Sequence, residues 1–200
     1  MSEAQYSFMT SIVDLDNKKK CIEFTEAVKD GAIFAYPTEA VYGLGCDINN
    51  KQSIRRILEL KKRDISKGLI VISDNLEKVR ELIDGNYFKL FVENNSDAVP
   101  TTWLCPASDA VLQEITGGSK KIAIRITRNP ISCALCKILN LPIISTSANI
   151  SGEKPIIDLK NLINYFDNSI DYIIKGEVGD SKKPTRILDL ITKEILREGS

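Results

Sequence analysis

Ala35-Tyr-Pro-Thr-Glu-Ala-Val-Tyr-Gly-Leu-Gly-Cys-Asp47 is the stretch whose reading decides the fold. Ala32-Ile33-Phe34 leads into it as the start of a buried strand. Pro37 has no N–H to give a ladder, so the strand ends there or lies at an edge. Thr38 and Glu39 form a polar turn, and the chain returns through Gly43 and Gly45 on either side of Leu44. Glycines at this spacing let backbone approach another group closely, either a ligand or a neighbouring strand. Two readings follow: one wall of a small-molecule site, or a strand-turn-strand whose glycines serve packing alone.

Outward from this stretch, 200 residues suit one domain. Apolar residues make up 43% and aromatic ones 6%, an ordinary core of Ile, Leu, Val and Ala. Lys plus Arg equals Asp plus Glu at 27 each, so no net field draws the chain to nucleic acid or a membrane. No apolar run is long enough to span a bilayer, and Met1-Ser-Glu-Ala-Gln-Tyr6 lacks the start of a secretory signal. The five cysteines form no disulfide framework and fit reduced thiols in a cytoplasm. Histidine is absent, which excludes a Ser-His-Asp triad, a Cys-His dyad and a His-ligated zinc site.

The chain alternates helices and strands, which predicts an α/β fold with a largely covered sheet. Cys21, Phe24 and Val28 give a helix ending near Gly31. Asn49-Asn50 caps a second helix from Lys51, with Ile54, Ile57 and Leu58 inward. Leu69 to Ile72 reads as a strand covered on both faces. Leu76, Val79, Leu82 and Ile83 mark a third helix, and Tyr87 to Val92 a short one. Thr101 to Cys105 is a strand. In Ile122-Ala-Ile-Arg-Ile126, Arg125 shares a face with Ala123, opposite the isoleucines. Pro130 opens a helix that Asn140 ends, and Leu141 to Ser145 is a strand. Leu159 to Phe166 is helical, Tyr172 to Lys175 a strand, and Thr185 to Leu190 with Glu194 to Arg197 a hairpin.

Three places carry chemistry. Lys51, Arg55 and Arg56 lie on a helix and read as a solvated face. Lys61, Arg63 and Lys67 lie in the loop before a buried strand, where side chains can converge on phosphate. No Walker loop and no Gly-x-Gly-x-x-Gly opening a helix is present. Ser145 to Gly152 places short hydroxyls and Asn149 at a strand's C-terminal end, where α/β sheets bind ligands, or else forms a polar turn. Arg125, alone among isoleucines, is either a fork for a carboxylate or one half of a structural ion pair.

Tyr36-Pro-Thr-Glu-Ala-Val-Tyr-Gly-Leu-Gly-Cys-Asp47, Lys61-Lys-Arg63 with Lys67-Gly-Leu-Ile70, Ile122-Ala-Ile-Arg125, Ser145-Thr-Ser-Ala-Asn-Ile-Ser-Gly152 and Leu196-Arg-Glu-Gly199 occur in this order. In that order the chain resembles the YrdC/TsaC family of threonylcarbamoyl-AMP synthases from about residue 18 onward. The resemblance implies a YrdC-like twisted, mixed open sheet with surrounding helices and a concave basic cavity. It implies one domain over residues 1–200, with residues 1–13 peripheral and no additional C-terminal domain.

The implied enzyme is a nucleotidyltransferase. It makes threonylcarbamoyl-AMP and pyrophosphate from L-threonine, bicarbonate and ATP, for threonylcarbamoyladenosine modification of tRNA. Lys61 and Arg63 are the implied catalytic pair. ATP would meet Lys61, Arg63, Thr102, Ser147, Asn149 and Arg197. L-Threonine would meet Thr38, Lys67, Arg125, Ser145 and Thr185. Magnesium is expected with ATP, held mainly by phosphates, with no protein metal ligands. Downstream tRNA threonylcarbamoyl-transferase proteins are the expected partners, direct tRNA contact is left open, and the expected setting is cytoplasmic. The family's Trp-Pro-Gly-Pro run stands here as Asp97-Ala-Val-Pro100, and its Ser-Thr-Ile or Ser-Glu-Ile as Thr185-Arg186-Ile187. The alternative is a non-catalytic RNA- or tRNA-binding module of the same fold, using Lys51, Arg55 and Arg56 on phosphates. A sugar-phosphate enzyme such as a dihydroxybutanone-phosphate synthase would need an acidic metal cluster, and none is evident.

Overall fold

The computed structural model describes residues 10–95, 99–166, 168–181 and 184–199; Asp97 and Ala98 lie outside the described residues. In chain order the elements are β1 (Ser11–Val13), α1 (Lys18–Lys29), β2 (Phe34–Pro37), β3 (Tyr42–Gly45), α2 (Lys51–Leu60) and β4 (Ile70–Ser73). There follow α3 (Gly85–Asn94), β5 (Thr101–Pro106), α4 (Gln113–Thr116), β6 (Lys121–Ile126) and α5 (Pro130–Leu139). The chain closes with β7 (Ile143–Ser147), α6 (Leu159–Phe166), β8 (Tyr172–Ile174), β9 (Arg186–Asp189) and β10 (Ile195–Arg197).

The helix ends follow their side chains. Asn17, Asn50 and Asn129 each accept an amide of the first turn of α1, α2 and α5, satisfying a donor the helix cannot. Pro130 sits at the start of α5, and Asn140 ends it in the left-handed region at φ +54°. The third helix expected at Leu76 to Ile83 is instead a six-residue 3-10 turn, Glu77–Leu82. Asn75 enters it by accepting the Glu77 amide, an Asx turn that tightens the chain. Ser11–Val13, within the segment expected to be peripheral, is an edge strand parallel to β8.

The ten strands form one mixed sheet in the order β1-β8-β2-β3-β7-β4-β6-β5-β9-β10. One face is buried over its central strands by Ile54, Ile57 and Leu58 of α2, Phe88 and Phe91 of α3, and Leu162 and Phe166 of α6. The other face is covered over part of its width. There Phe24 and Val28 of α1 and Leu135, Cys136 and Leu139 of α5 pack on Phe34, Tyr36, Ile72, Ile143 and Ile174. Beyond these helices the same face shows Ile70, Leu104, Ala123, Ser147 and Ile187, all half-buried. Strand β4 therefore runs from covered to open ground: Ile72 is buried, while Ile70 is not sealed as a doubly covered strand would be.

Register explains the two glycines of the 35–47 stretch. Gly45 pairs with Phe34 and Gly43 with Tyr36. A Cβ on Gly45 would lie 2.8 Å from the Phe34 ring and 3.0 Å from the Ile144 carbonyl oxygen, and one on Gly43 would lie 3.3 Å from the Tyr36 ring. The glycines make room for aromatic rings from the partner strand, so the packing reading holds for them. Farther along the sheet, Lys121 of β6 reaches across β5 to the Asp189 carboxylate, which also accepts the Ile191 and Thr192 amides at 3.0 Å each. Burial alone would raise the Asp189 carboxyl; Lys121 and these amides outweigh it and hold it at about 2.

Gly45→Ala is expected to destabilise the protein by about 1–3 kcal/mol, the usual result of forcing extra volume into a packed interior, measured by urea unfolding. The Asp189 pKa is lower folded than unfolded, so its stabilisation is complete above about pH 4 and is lost as pH falls toward 2. Asp189→Asn should remove about 2 kcal/mol at neutral pH. In acid titrations its stability should converge with that of the parent protein between pH 4 and 2.

Candidate active site

The open half of the sheet is where the charged strand residues gather. Strand parity puts Lys121 and Arg125 on the same side, opposite the buried Ile122 and Ile124. Arg125 is 9% exposed. Its Nη1 donates to Thr185 Oγ1 at 3.3 Å, and its Nη2 lies 3.6 Å from Glu39 Oε2. Its Nε is buried with no hydrogen-bond partner among the described residues. An unmatched buried donor costs about 1–3 kcal/mol and calls for an explanation.

Thr185 joins two groups of residues. Its hydroxyl meets Thr102 Oγ1 at 3.0 Å as well as Arg125, and its carbonyl accepts Arg197 Nη2 at 2.7 Å and Nε at 3.2 Å. Thr102 is fully buried beneath this junction. The two guanidinium groups are close enough that Arg125, after burial, lowers the Arg197 pKa. Past Arg197 opens a cleft of about 230 Å³, lined by Arg63, Lys67, Ser119, Lys121, Ile187 and Arg197 among others. Arg63 is oriented by the Gly68 carbonyl, at 2.9 Å from Nη2 and 3.2 Å from Nε. Gly68 takes φ +58°, and a Cβ there would lie 3.1 Å from the Ile115 carbonyl oxygen, so the turn that presents Arg63 depends on glycine.

Lys61 lies elsewhere than a free phosphate ligand would. It is 2% exposed. Its ammonium donates to the carbonyls of Ser147 and Asn149, the latter at 2.7 Å, with Asn149 Oδ1 at 3.5 Å. Its own carbonyl accepts the Ser151 amide at 2.8 Å. Lys61 thus fastens the turn after β7 from below, a positive charge one layer under Ser147. Burial, then the neighbouring Arg63, lowers its pKa to about 8. Asn149 is likewise engaged, its Nδ2 donating to the Ile150 and Glu153 carbonyls at 2.9 and 2.8 Å.

On the other side of the open face, Ser145 accepts a hydrogen bond from the buried Tyr36 hydroxyl at 2.7 Å. Burial pushes the Tyr36 phenol well up, so it stays a donor to Ser145. Thr38 is folded into its own turn, its hydroxyl donating to the Val41 carbonyl at 2.7 Å. Lys67, expected on the threonine side, lines the cleft with Arg63 and Arg197. Lys121 was not anticipated as a cleft residue; its parity with Arg125 in the strand is the signal that marks it.

The basic helix face is exposed but ion-paired. Lys51 and Arg55 both pair with the buried Glu114, at 3.0 and 2.8 Å, and Arg56 pairs with Asp171 at 2.7 Å. These cations hold α2 against α4 and the segment before β8, a structural role beside any contact with phosphate. No helix among the described residues is long and apolar enough to cross a membrane.

The family described as "Telomere recombination" (Sua5/YciO/YrdC) matches residues 26–199. A threonylcarbamoyl-AMP synthase of Coxiella burnetii is 42% identical over 183 residues, spanning 88% of this chain and 98% of the relative. One from Pseudoalteromonas atlantica is 40% identical over 160 residues, spanning 78% and 85%. Among solved structures, P. abyssi Sua5 complexed with L-threonine superposes with a TM-score of 0.85 at 27% identity, over 95% of this chain but 58% of that one. E. coli YciO gives 0.77 at 25% identity, over 100% and 96%. Motif order, sheet and relatives agree: the chain belongs to the Sua5/YciO/YrdC family.

Proposed function

We propose that this protein is a threonylcarbamoyl-AMP synthase, converting L-threonine, bicarbonate and ATP to threonylcarbamoyl-AMP, pyrophosphate and water. The observation that carries this reading is the junction at Thr185. On one side stands Arg125, a buried guanidinium with an unmatched donor suited to a carboxylate. On the other stands a cleft whose cations Arg63, Lys67 and Arg197 suit a polyphosphate, with Lys121 paired to Asp189 at its side. One residue touches Arg125 and Arg197 together, so two anionic substrates bound there would meet. The names of the relatives, and the L-threonine in the P. abyssi Sua5 structure, support the same assignment.

The chemistry asks for positioning and charge neutralisation, which residues other than histidine can supply. The threonine nitrogen takes up carbon dioxide derived from bicarbonate. The resulting N-carboxylate attacks the α-phosphorus, and pyrophosphate leaves on the opposite side. Arg125 and Ser145 would hold threonine beside Thr185. Arg63, Lys67 and Arg197 would receive the triphosphate, with Ser147 at the turn that Lys61 fastens. Among the described residues no group of three or more Cys, Asp or Glu is placed to hold a metal. We assign magnesium to the triphosphate, where it would offset phosphate charge. A nucleotidyltransferase of this kind would work in the cytoplasm and pass its product to tRNA threonylcarbamoyl-transferase proteins.

The test is incubation with ATP, labelled bicarbonate and single amino acids, following pyrophosphate and labelled adenylate. Threonine should support far more product than serine or valine; equal rates would refute the substrate. Lys67 is exposed, and no hydrogen bond of its ammonium is present among the described residues. Lys67→Ala should therefore leave the fold intact and raise KM for ATP by about tenfold or more, the value of a charge-assisted contact, with KM for threonine unchanged. The reverse pattern would return Lys67 to the threonine side.

A further inference from the structure

Glu39 is unassigned by everything above, and its surroundings are constructed rather than casual. Its turn is closed by the Thr38 amide on the Val41 carbonyl at 3.0 Å. The loop after β8 locks it from outside, with the Gly179 amide on the Thr38 carbonyl and the Ser181 amide on the Glu39 carbonyl, both at 2.9 Å. The lock needs glycine, since a Cβ at Gly179 would stand 2.8 Å from the Glu39 carbonyl oxygen. The backbone of Glu39 is thus held at two points, and its side chain, 29% exposed, is directed at Arg125.

The contact it makes there is incomplete. At 3.6 Å the two charges attract, but the separation exceeds a hydrogen bond. No hydrogen bond of the Glu39 carboxylate is present among the described residues, and Arg125 has one, to Thr185, besides its unmatched Nε. An ion pair serving stability alone would close to bidentate geometry, as Arg56 does on Asp171. This one leaves acceptors and donors unengaged side by side, at the mouth of the site.

We propose that Glu39 and Arg125 together recognise the zwitterion of the amino-acid substrate, Arg125 binding its carboxylate and Glu39 its α-nitrogen. An α-amino acid carries its two opposite charges on adjacent atoms of one carbon, and it can bridge a cation and an anion that stand this close. Glu39 is then a specificity residue that rejects carboxylic acids lacking the amine. It also orients the nitrogen that is to be carboxylated, and the carbamate that forms keeps an N–H for the same carboxylate to accept. This proposal rests on the assignment of Arg125 to the substrate carboxylate.

The test compares binding of L-threonine and of 3-hydroxybutanoate, its desamino analogue, by calorimetry to the parent protein and to Glu39→Gln. The substitution should weaken threonine by about tenfold or more, the range for a hydrogen bond to a charged group, and leave 3-hydroxybutanoate unchanged. KM for threonine should rise with it, KM for ATP should not, and Glu39→Asp should recover part of the loss. Unchanged threonine affinity, or equal weakening of both ligands, would overturn the proposal; the latter would make Glu39 only a brace for Arg125. Turnover of threonine by the parent protein is the control. Its absence defeats the underlying activity and this proposal together, whereas intact turnover with an indifferent Glu39→Gln defeats this proposal alone.

Discussion

A ten-stranded sheet has two faces to bury, and helices α1 and α5 cover only part of the second. Where they stop, strands that continue from a packed interior meet solvent through Ile70, Leu104, Ala123 and Ile187. A half-buried floor of this kind is a concave surface with rigid walls, the setting in which small molecules bind. Its polar residues arrive on strands fixed by register on both sides, so a shift of one residue would turn Arg125 into the core and Ile124 into the cleft. The 35–47 stretch contributes to this arrangement less through its glycines than through Tyr36 and Glu39, which the hairpin sends to the covered edge and the open mouth of the same face.

The electrostatics follow from that coverage. Cations at the helix surface meet carboxylates, Lys51 and Arg55 sharing Glu114 and Arg56 pairing with Asp171, and at the open face Lys121 pairs with Asp189. Three others at or beneath the open face are held by carbonyls, Arg63 on Gly68, Arg197 on Thr185 and Lys61 on Ser147 and Asn149. A carbonyl orients a cation without cancelling its charge, so the net field stays positive where anionic substrates would approach.

Much of this was legible in the chain. Helix α2 announces itself by a capping asparagine, α1 and α5 by an apolar period with Gly31 and Pro130 as boundary signals, and β6 by an alternation that sorts Arg125 from its isoleucines. What stayed hidden depends on partners distant in sequence. The fit of Gly43 and Gly45 around the Tyr36 and Phe34 rings requires the hairpin register. The hydroxyl pair of Thr102 and Thr185, and the pairing of Arg55 with Glu114, join residues that no local pattern connects. Lys61 reads as a surface cation in a basic loop, yet the chain folds the turn after β7 over it. Periodicity reports which face a residue takes, while the closing of loops over that face is decided by tertiary packing.

The central claim is that the uncovered half of one sheet face receives both substrates around Thr185. A crystal structure with L-threonine and a non-hydrolysable ATP analogue tests it most directly. The expected result is an amino-acid carboxylate on Arg125 and phosphates among Arg63, Lys67 and Arg197, on the same side of the sheet. Ligand density on the helix-covered ground, or phosphates remote from these cations, would contradict it.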